Sequence, residues 1–520
     1  MFRIRNLLLL FVLFPFAVRN QTLQAGGKEI SISDFRGIVT FLASGWMEGR
    51  EAGEKGCFMA ADYIASLMES YGLQPFGDSV NHENQFSGRS YFQNFTLFRF
   101  TTEESSLSWV NSDKGNDSEH LFAFRTDFSV EPVTNNVSVE YPVVFAGYGI
   151  SLPEQGYDDY SDLDVENKIV VMLSGFPGSK DTASYAWQKI GKIIEQSDDY
   201  EFEKRKTAQA KGAVALIVIS ESEATGNSSE PEYEDYLLLP PEDTALFAIP
   251  VIDLHNEAAG ILLEGSGIQL QEAEDRAASS LKTSSVLVRN GYCRISLQVK
   301  REHIGVNNVL GVIYGKDSTR QVIVGAHYDH LGKRDTLIYY GADDNASGTS
   351  GMLALAQFWA DKNEKPPCNL VFAAWTAEEE GMLGSSYYTD HFRSTKNNTP
   401  LYLNLDMISR SDPTDTMRII LSVGTLKGSE SMKDLVSAQN LIQEKPFQLD
   451  LWQSDENGDS DYTPFAKKEI PVMTFFSGFH DDYHTPRDVI QKVDFEKMKN
   501  VLNIVNGCIN DHLAGLKGKE

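Results

Sequence analysis

The sequence has few cysteines and no excess of positive charge, and both features narrow the range of functions that the protein can have. Only four cysteines occur among 520 residues, and they lie too far apart for the spacing of a zinc finger: Cys57, Cys293, Cys368 and Cys508. Three disulfide pairings are open to them, and the sequence does not choose among these. Lysine and arginine number 46 against 74 acidic residues, which gives a net charge of -28. Because nucleic acid and anionic membranes bind basic surfaces, neither is expected as the main partner.

Long apolar runs are also scarce, and the one that stands out lies at the amino terminus. Residues 7–18 form a nearly continuous apolar run that Pro15 interrupts, and Arg3 and Arg5 precede it. The run is too short to span a bilayer comfortably and is typical of the central part of a secretory signal peptide. We therefore predict that residues 1–20 are a signal peptide and that the mature protein is exported, periplasmic or extracellular, without a transmembrane segment. An uncleaved membrane anchor is the alternative.

The rest of the chain has the composition of a globular protein, with 41% hydrophobic and 23% charged residues. From about residue 300 onward, strand-like apolar runs such as "QVIVGAHYD" and "NLVFAAWT" alternate with helix-like segments. This rhythm predicts an α/β fold, a mostly parallel mixed sheet sandwiched by helices. Residues 21–105, with a predicted helix over 57–71 and a predicted strand over 91–100, are assigned with 300–520 to one catalytic domain.

Residues 106–299 are predicted to be an insert with a β-rich α+β fold. Short β-like runs alternate there with acidic loops, and "SSEPEYEDYLLLPPED" at 228–243 is expected to be a surface loop because it is rich in proline and acidic residues. The segment has no cluster of histidines with carboxylates in its sequence. We therefore expect it to be non-catalytic.

Histidine and carboxylate side chains follow several predicted strands of the larger region, at the points where these strands or the following loops end. They are His327, Asp329, His330, Asp343, Asp344, Glu378, Glu379, Asp406, His480, Asp481, Asp482 and His484. Because functional sites of such folds gather at the carboxyl ends of the strands, these side chains are expected to meet. Imidazole with carboxylate and no thiolate favours zinc over manganese or cobalt. The ligands are too many for one tetrahedral zinc, so we predict two ions about 3.5–4 Å apart.

The motifs "GAHYDHLG", "GADDNASGTSGMLALA", "AEEEGMLGS", "YLNLDM", "SDYTPF" and "YHTPRD" carry a resemblance to a known family. With them the chain resembles the co-catalytic dizinc aminopeptidases, a family that also includes glutamate carboxypeptidases and glutaminyl cyclases. The likeness covers about residues 300–500 and extends more loosely to "MEGREAGEKG" at 47–56. The middle region, with "VVFAGYGI" and "AQAKGAVALIVI", resembles a protease-associated domain. The resemblance implies a zinc-exopeptidase-like fold that carries this domain as an insert.

The resemblance implies which residues hold the metal. His327 and Asp406 would bind one zinc ion, and Glu379 and His484 would bind the second. Asp344, together with a water molecule, would bridge the two ions. The expected cofactor is therefore Zn²⁺, with two ions per chain.

Three further residues have implied catalytic roles. Glu378 is the candidate general base, which takes a proton from the attacking water and returns it to the leaving amine. Asp329, two residues after His327, is expected to accept the imidazole N–H and fix its tautomer. Tyr483 is expected to help stabilise the oxyanion of the tetrahedral intermediate. Glu380 is assigned to solvent, and Asp343, His330 and His480 have no assigned role.

The function expected from this set is an exported metallo-aminopeptidase that acts on peptides. A carboxypeptidase or dipeptidase of the same family is the alternative, and it would need a cation for the substrate carboxylate, for which Arg410 and Arg487 are candidates. A glutaminyl cyclase is disfavoured because it needs only one metal ion. A binding protein on an inactive scaffold is disfavoured because the ligand set is complete. The oligomeric state is not predicted.

Overall fold

The computed structural model of the protein describes residues 30–81, 87–102, 105–113, 116–130, 136–195, 200–220, 235–238, 249–391, 395–454 and 457–517. The predicted signal peptide, residues 1–20, lies outside these ranges. Within them, no helix is both long enough and apolar enough to cross a membrane. All four cysteines lie within them too, and each is buried and outside any disulfide.

Ten strands form the larger of the two main sheets. In spatial order its main path runs through Asp235–Leu238, Phe92–Thr102, Val299–Ile313, Cys368–Trp375, Asp317–His327, Leu401–Leu405, Val472–Phe476, Ile420–Leu426 and Gln448–Ser454, with Gln74–Pro75 paired to Val299–Ile313 beside it. The centre of this sheet is parallel, because Asp317–His327 pairs in parallel with both Cys368–Trp375 and Leu401–Leu405. The mixed sheet that the sequence predicts is thus confirmed. Four of its strand pairs are parallel, and five are antiparallel.

Helices cover both faces of this sheet and explain why its central strands are apolar throughout. Every residue of Cys368–Trp375 is buried, as expected of a strand that is packed on both sides. One face packs against Ile32–Leu42, Lys55–Ser70, Ala346–Asp361 and Phe495–Lys517. The other face packs against Tyr388 and Phe465, which belong to the helices Leu383–His391 and Thr463–Lys467. The remaining α-helices span Lys192–Ile194, Tyr200–Ala210, Asn256–Leu263, Leu270–Ser280 and Glu430–Leu441.

A second sheet of eight strands has its own hydrophobic core. Its order is Asn116–Phe122, Ser106–Asp113, Val286–Leu297, Val137–Phe145, Ile169–Leu173, Ala215–Ser220, Val251–His255 and Phe128–Val130. The middle strands of this sheet are parallel, and the strands at its two ends are antiparallel. The predicted domain boundaries near 105 and 299 remain a prediction, and both lie close to points where the chain passes from one sheet to the other.

One short segment departs from the sequence-based expectation. Residues 235–238, inside the predicted surface loop, form a strand that pairs antiparallel with Phe98–Thr101 of the larger sheet. The loop prediction is therefore wrong for these four positions. Proline and acidic neighbours suggested a loop, but an unpaired strand edge supplied by a distant part of the chain outweighed that local tendency.

Candidate metal centre

The central strands bring the predicted ligands to one edge of the larger sheet. His327 is the last residue of its strand and pairs with Trp375, the last residue of one neighbouring strand, while the other neighbouring strand ends at Leu405. Glu378 follows three residues after Trp375, and Asp406 follows directly after Leu405. Parallel neighbouring strands end on the same side of a sheet. The charged residues that follow these strands therefore lie together at one edge.

His327 lies at the centre of a first group of carboxylates. Its Nε2 atom is 3.3 Å from Asp406 Oδ1 and 3.4 Å from Asp344 Oδ1. The same nitrogen is 3.9 Å from Glu378 Oε2. His327 is 1% exposed and Asp344 is 3% exposed, so these groups meet away from bulk solvent.

His484 forms a second group with the other face of the same aspartate. Its Nε2 atom lies 3.2 Å from Asp344 Oδ2 and 3.1 Å from Glu379 Oε2. Asp344 therefore directs one carboxylate oxygen toward His327 and the other toward His484. All five predicted ligands are brought together, and Asp344 lies between the two histidines.

Backbone contacts around Asn345 hold Asp344 in this place. The Asn345 side chain accepts the N–H of Gly348 at 2.9 Å and so caps the helix Ala346–Asp361. Its amide donates to the carbonyl of Leu405 at 2.9 Å. Asn345 thus ties the helix that follows Asp344 to the strand that precedes Asp406.

Asp329 is buried beneath the cluster, but its contacts differ from the expected one. Its Oδ1 atom lies 3.8 Å from Nδ1 of His327, which is too long for a hydrogen bond. The carboxylate instead accepts the backbone N–H of Glu378 at 3.2 Å, and that of Glu379 at 3.4 Å. It therefore positions the loop that carries both glutamates.

The three residues without an assigned role are all buried beside the site. His330 Nδ1 is 2.6 Å from Glu379 Oε1. His480 Nε2 is 3.4 Å from Asp343 Oδ2, and Asp343 accepts both the N–H and the hydroxyl of Ser409. The sequence shows which residue types stand at these three positions, but it does not show that their side chains face the site.

Two further residues of the site were missed by the sequence reasoning. Asp488 Oδ2 accepts the backbone N–H groups of Asp343 and Asp344 at 2.9 and 3.1 Å, so it orients the backbone that carries both aspartates. Ser460 donates to Asp406 Oδ2 at 2.6 Å. Both residues lie in quoted motifs, Asp488 in "YHTPRD" and Ser460 in "SDYTPF", and this is the signal that could have found them.

Tyr483 lies at the mouth of the cluster. Its ring stacks on the imidazole of His484 with the ring centroids 3.7 Å apart. Burial and the nearby carboxylates of Asp344 and Glu379 raise the pKa of its hydroxyl, so this group stays protonated and can donate a hydrogen bond.

The electrostatics of the cluster favour added positive charge. Burial opposes protonation of both imidazoles, but the carboxylates outweigh it: the pKa of His327 lies well above its usual value, and that of His484 is about 10. Burial opposes ionisation of Glu379, yet its histidine neighbours lower its pKa to about 2. In contrast, burial and nearby carboxylates raise the pKa of Glu378, against the influence of His327. The cluster thus draws protons to its histidines, and a metal cation can replace those protons.

The donor set fits zinc. It combines two imidazoles with carboxylates, and the buried Nδ1 atom of His327 has no hydrogen-bond partner within the part of the chain that the structure describes. Two groups of potential ligands have their donor atoms within 4.8 Å of one another, and they share His327. These groups are His327 with Asp344 and Glu379, and His327 with Glu378 and Asp406.

Comparison with known proteins identifies the class. The fold resembles that of an aminopeptidase from Aneurinibacillus sp. strain AM-1, with a TM-score of 0.59, 19% identity and coverage of 93% of this chain and 94% of that chain. It also resembles BSAP, a zinc aminopeptidase from Bacillus subtilis, with a TM-score of 0.50, 21% identity and coverage of 93% and 96%. At such identities the likeness shows a shared fold: that of bacterial aminopeptidases.

The family follows from the sequence matches. Residues 308–508 match peptidase family M28, and residues 139–244 match the PA domain. The chain is 26% identical over 345 residues to aminopeptidase YwaD of Bacillus subtilis strain 168. That match covers 65% of this chain and 65% of the relative, so it spans just under two thirds of the relative's length. Residues 308–508 thus resemble the peptidases of family M28 and residues 139–244 resemble a PA domain, as the motifs predict.

Proposed function

We propose that the protein is an exported zinc aminopeptidase that removes N-terminal residues from peptides and holds two zinc ions per chain. The observation that carries this proposal is the position of Asp344, with one carboxylate oxygen toward His327 and the other toward His484. The names of its relatives support an aminopeptidase activity. Export rests on the sequence of residues 1–20 alone.

Five residues would hold the metal. His327 and Asp406 would bind one ion, Glu379 and His484 the other, and Asp344 both. Zinc bound there supplies a Lewis acid that acidifies water and polarises a peptide carbonyl. Asp344 would thus link the two groups of ligands, the one around His327 and the one around His484.

Glu378 is suited to move the proton of the reaction. Its side chain is buried and faces His327, and Asp329 fixes its backbone. A carboxylate in this position can accept a proton from the attacking water. It returns that proton to the amine nitrogen as the C–N bond breaks, so water is added across the peptide bond. The Tyr483 hydroxyl donates a hydrogen bond to the developing oxyanion.

Contacts of the two candidate arginines favour an aminopeptidase over a carboxypeptidase. Arg410 Nη2 lies 2.7 Å from Asp482 Oδ2, and Arg487 Nε lies 2.8 Å from Asp482 Oδ1. Both guanidinium groups are thus already paired with a protein carboxylate. Among the described residues that line the cavity beside the metal cluster, none is a lysine or an arginine. A substrate carboxylate would find no lysine or arginine to pair with among these residues, whereas a free α-amino group would be attracted by the acidic side chains.

Dipeptides and their blocked forms test the direction of cleavage. The zinc-loaded protein should cleave free and C-terminally amidated dipeptides and lose this activity when the substrate is N-acetylated. Cleavage that survives N-acetylation contradicts an aminopeptidase. Elemental analysis should find about two zinc ions per chain, and a stoichiometry near one at saturation contradicts the dinuclear site.

A pair of neighbouring variants tests the base. Glu378→Gln should lower kcat by at least about a hundredfold with little loss of zinc, since it removes the proton acceptor and keeps the shape of the side chain. Glu380→Gln is the matched control, because Glu380 does not line the cavity among the described residues. Normal turnover by Glu378→Gln would remove Glu378 from the mechanism.

A further inference from the structure

A cavity of about 420 Å³ adjoins the metal cluster, and three strands of the larger sheet build its far wall. These strands are Val472–Phe476, Ile420–Leu426 and Gln448–Ser454. Their paired residues present two rows to the cavity, Phe476 with Ser422 and Asp450, and Thr474 with Gly424 and Trp452. The wall therefore extends from the edge that carries the metal cluster toward the edge strand of the sheet.

Five aromatic residues are among the described residues that line this cavity: Trp452, Tyr462, Phe476, Phe479 and Tyr483. Phe479 contacts Phe476 on one side and Tyr483 on the other, with ring centroids 4.8 and 5.0 Å apart. Trp452 packs edge-to-face on Tyr462 at 5.8 Å. Gly424 gives the indole its room, because a Cβ atom there would lie 2.5 Å from the Trp452 ring. Cations are attracted to the faces of such rings.

Asp450 places a carboxylate in the same cavity, away from the metal ligands. Ser422 accepts the indole N–H of Trp452 at 2.9 Å and donates to Asp450 Oδ2 at 3.1 Å. This chain of hydrogen bonds orients the carboxylate beside the aromatic wall. Asp450 lies three strands across the sheet from the strand that precedes Asp406, roughly 14 Å at the usual strand spacing. Only a long side chain of a substrate bound at the metal cluster would reach it.

We propose that this cavity receives the side chain of the N-terminal residue that is removed, and that it selects lysine or arginine. The inference rests on the proposed aminopeptidase function. The long apolar stem of either residue packs on the aromatic wall while its charged end pairs with Asp450. Asp459, a second acid of the lining, adds to the negative potential, and no described lining residue is a lysine or arginine that would oppose it.

The experiment compares lysyl and norleucyl substrates, which have similar stems and differ in the terminal ammonium group. The zinc-loaded protein should show a higher kcat/KM for L-lysyl-4-nitroanilide than for L-norleucyl-4-nitroanilide. Asp450→Asn should reduce this preference by about three- to tenfold, mainly through the lysyl substrate, as expected for loss of a partly exposed ion pair beside an aromatic face. The amide oxygen can still accept from Ser422, so the wall is retained.

Asp434→Asn is the matched control, since Asp434 is an exposed acid on the helix Glu430–Leu441 and its loss changes the net charge equally. A second readout is the rise in Tm of the zinc-loaded protein with L-lysine and with L-norleucine, which needs no turnover. Lysine should give the larger rise in the wild type, and Asp450→Asn should abolish the difference.

The outcomes separate the two proposals. Faster cleavage of the norleucyl substrate by the wild type, or an equal change of preference in Asp434→Asn and Asp450→Asn, overturns the assignment of Asp450 and leaves the aminopeptidase intact. Absence of cleavage for every substrate with a free α-amino group overturns the aminopeptidase itself.

Discussion

The imidazole of His330 lies with Nδ1 2.6 Å from Oε1 of Glu379, while the other oxygen of that glutamate faces His484 at 3.1 Å. His330 thus contacts one oxygen of the Glu379 carboxylate, and His484 lies beside the other oxygen. Outer residues of this kind fix the orientation of metal ligands.

We expect His330→Gln to weaken zinc binding about 10- to 100-fold, because Glu379 loses the partner that orients it. Competition with a chromophoric chelator measures this affinity. His391→Gln is the control, since His391 is exposed and contacts the carbonyl of Tyr387 in its own helix. An unchanged zinc affinity in His330→Gln would show that the contact does not position the ligand.

The glutamate triplet allows a direct test of ligand assignment. Glu379→Gln should lower the zinc content below two ions per chain, since a neutral amide replaces a buried carboxylate of the cluster. Glu380→Gln, one residue further along the chain, should keep the full content. Zinc analysis after gel filtration of both variants decides this, and equal zinc contents would argue against Glu379 as a ligand.

A buried arginine supports the loops around the site. Arg50 is 0% exposed, and its guanidinium donates to the carbonyls of Leu42, Tyr328, Tyr340 and Gly341. Arg50→Met removes all four of these hydrogen bonds, and of the carbonyls only that of Gly341 has a further donor among the described residues, the N–H of Ala346. We therefore expect a loss of about 3–5 kcal/mol in the free energy of unfolding. The shift of the denaturant midpoint measures it. Arg36→Met, which removes a cation over the ring of Phe495, should cost about 1 kcal/mol or less.

Asp159 gives the second sheet a pH-dependent stability. It is 1% exposed, and although it accepts two backbone N–H groups, burial raises its pKa to about 7. Because this folded-state pKa lies above the unfolded value of about 4, the protonated form is favoured by folding. The resulting stabilisation is fully present below about pH 4 and is lost as the pH rises toward 7, at up to about 1.4 kcal/mol per pH unit.

Asp159→Asn cannot ionise and retains an oxygen for the two backbone donors. Its Tm relative to the wild type should therefore increase between pH 5 and pH 8. Asp162→Asn, at an exposed neighbouring position, should follow the wild type at both pH values. A constant difference between wild type and Asp159→Asn across this range would show that Asp159 does not titrate there.

The sequence predicts the central strands well because each is buried on both faces. "NLVFAAWT" was expected to be a strand and forms Cys368–Trp375, and the helix expected over 57–71 is Lys55–Ser70. Strands near the edge of the sheet are less buried, so their sequences are less apolar and harder to predict as strands. Gln448–Ser454 was not predicted, since most of its residues are only half-buried or exposed and its sequence mixes acidic, polar and aromatic residues. The wall of the cavity, and with it Asp450, was therefore not foreseen.

The sequence predicts which residue types form the site, but it does not predict which of these residues contact each other. His330 meets Glu379 across 49 positions of the chain, and Asp488 meets Asp344 across 144. The motifs "GAHYDHLG" and "YHTPRD" contain His330 and Asp488, but how the loops pack decides which residues these two contact, and no local pattern in the sequence shows that. The same limit explains Asp329, whose nearness to His327 suggested one contact while the folded loop gave it another.

The strand Asp235–Leu238 has a consequence for any shortened form of the protein. It pairs with Phe98–Thr101 on the outer side of Phe92–Thr102, a strand of eleven residues in which aromatic side chains recur at every second or third position. Removing the insert would leave the backbone donors and acceptors of that side open to strands of other molecules. The insert therefore also guards the larger sheet against self-association, and a truncated enzyme would need a charged or proline-containing edge in its place.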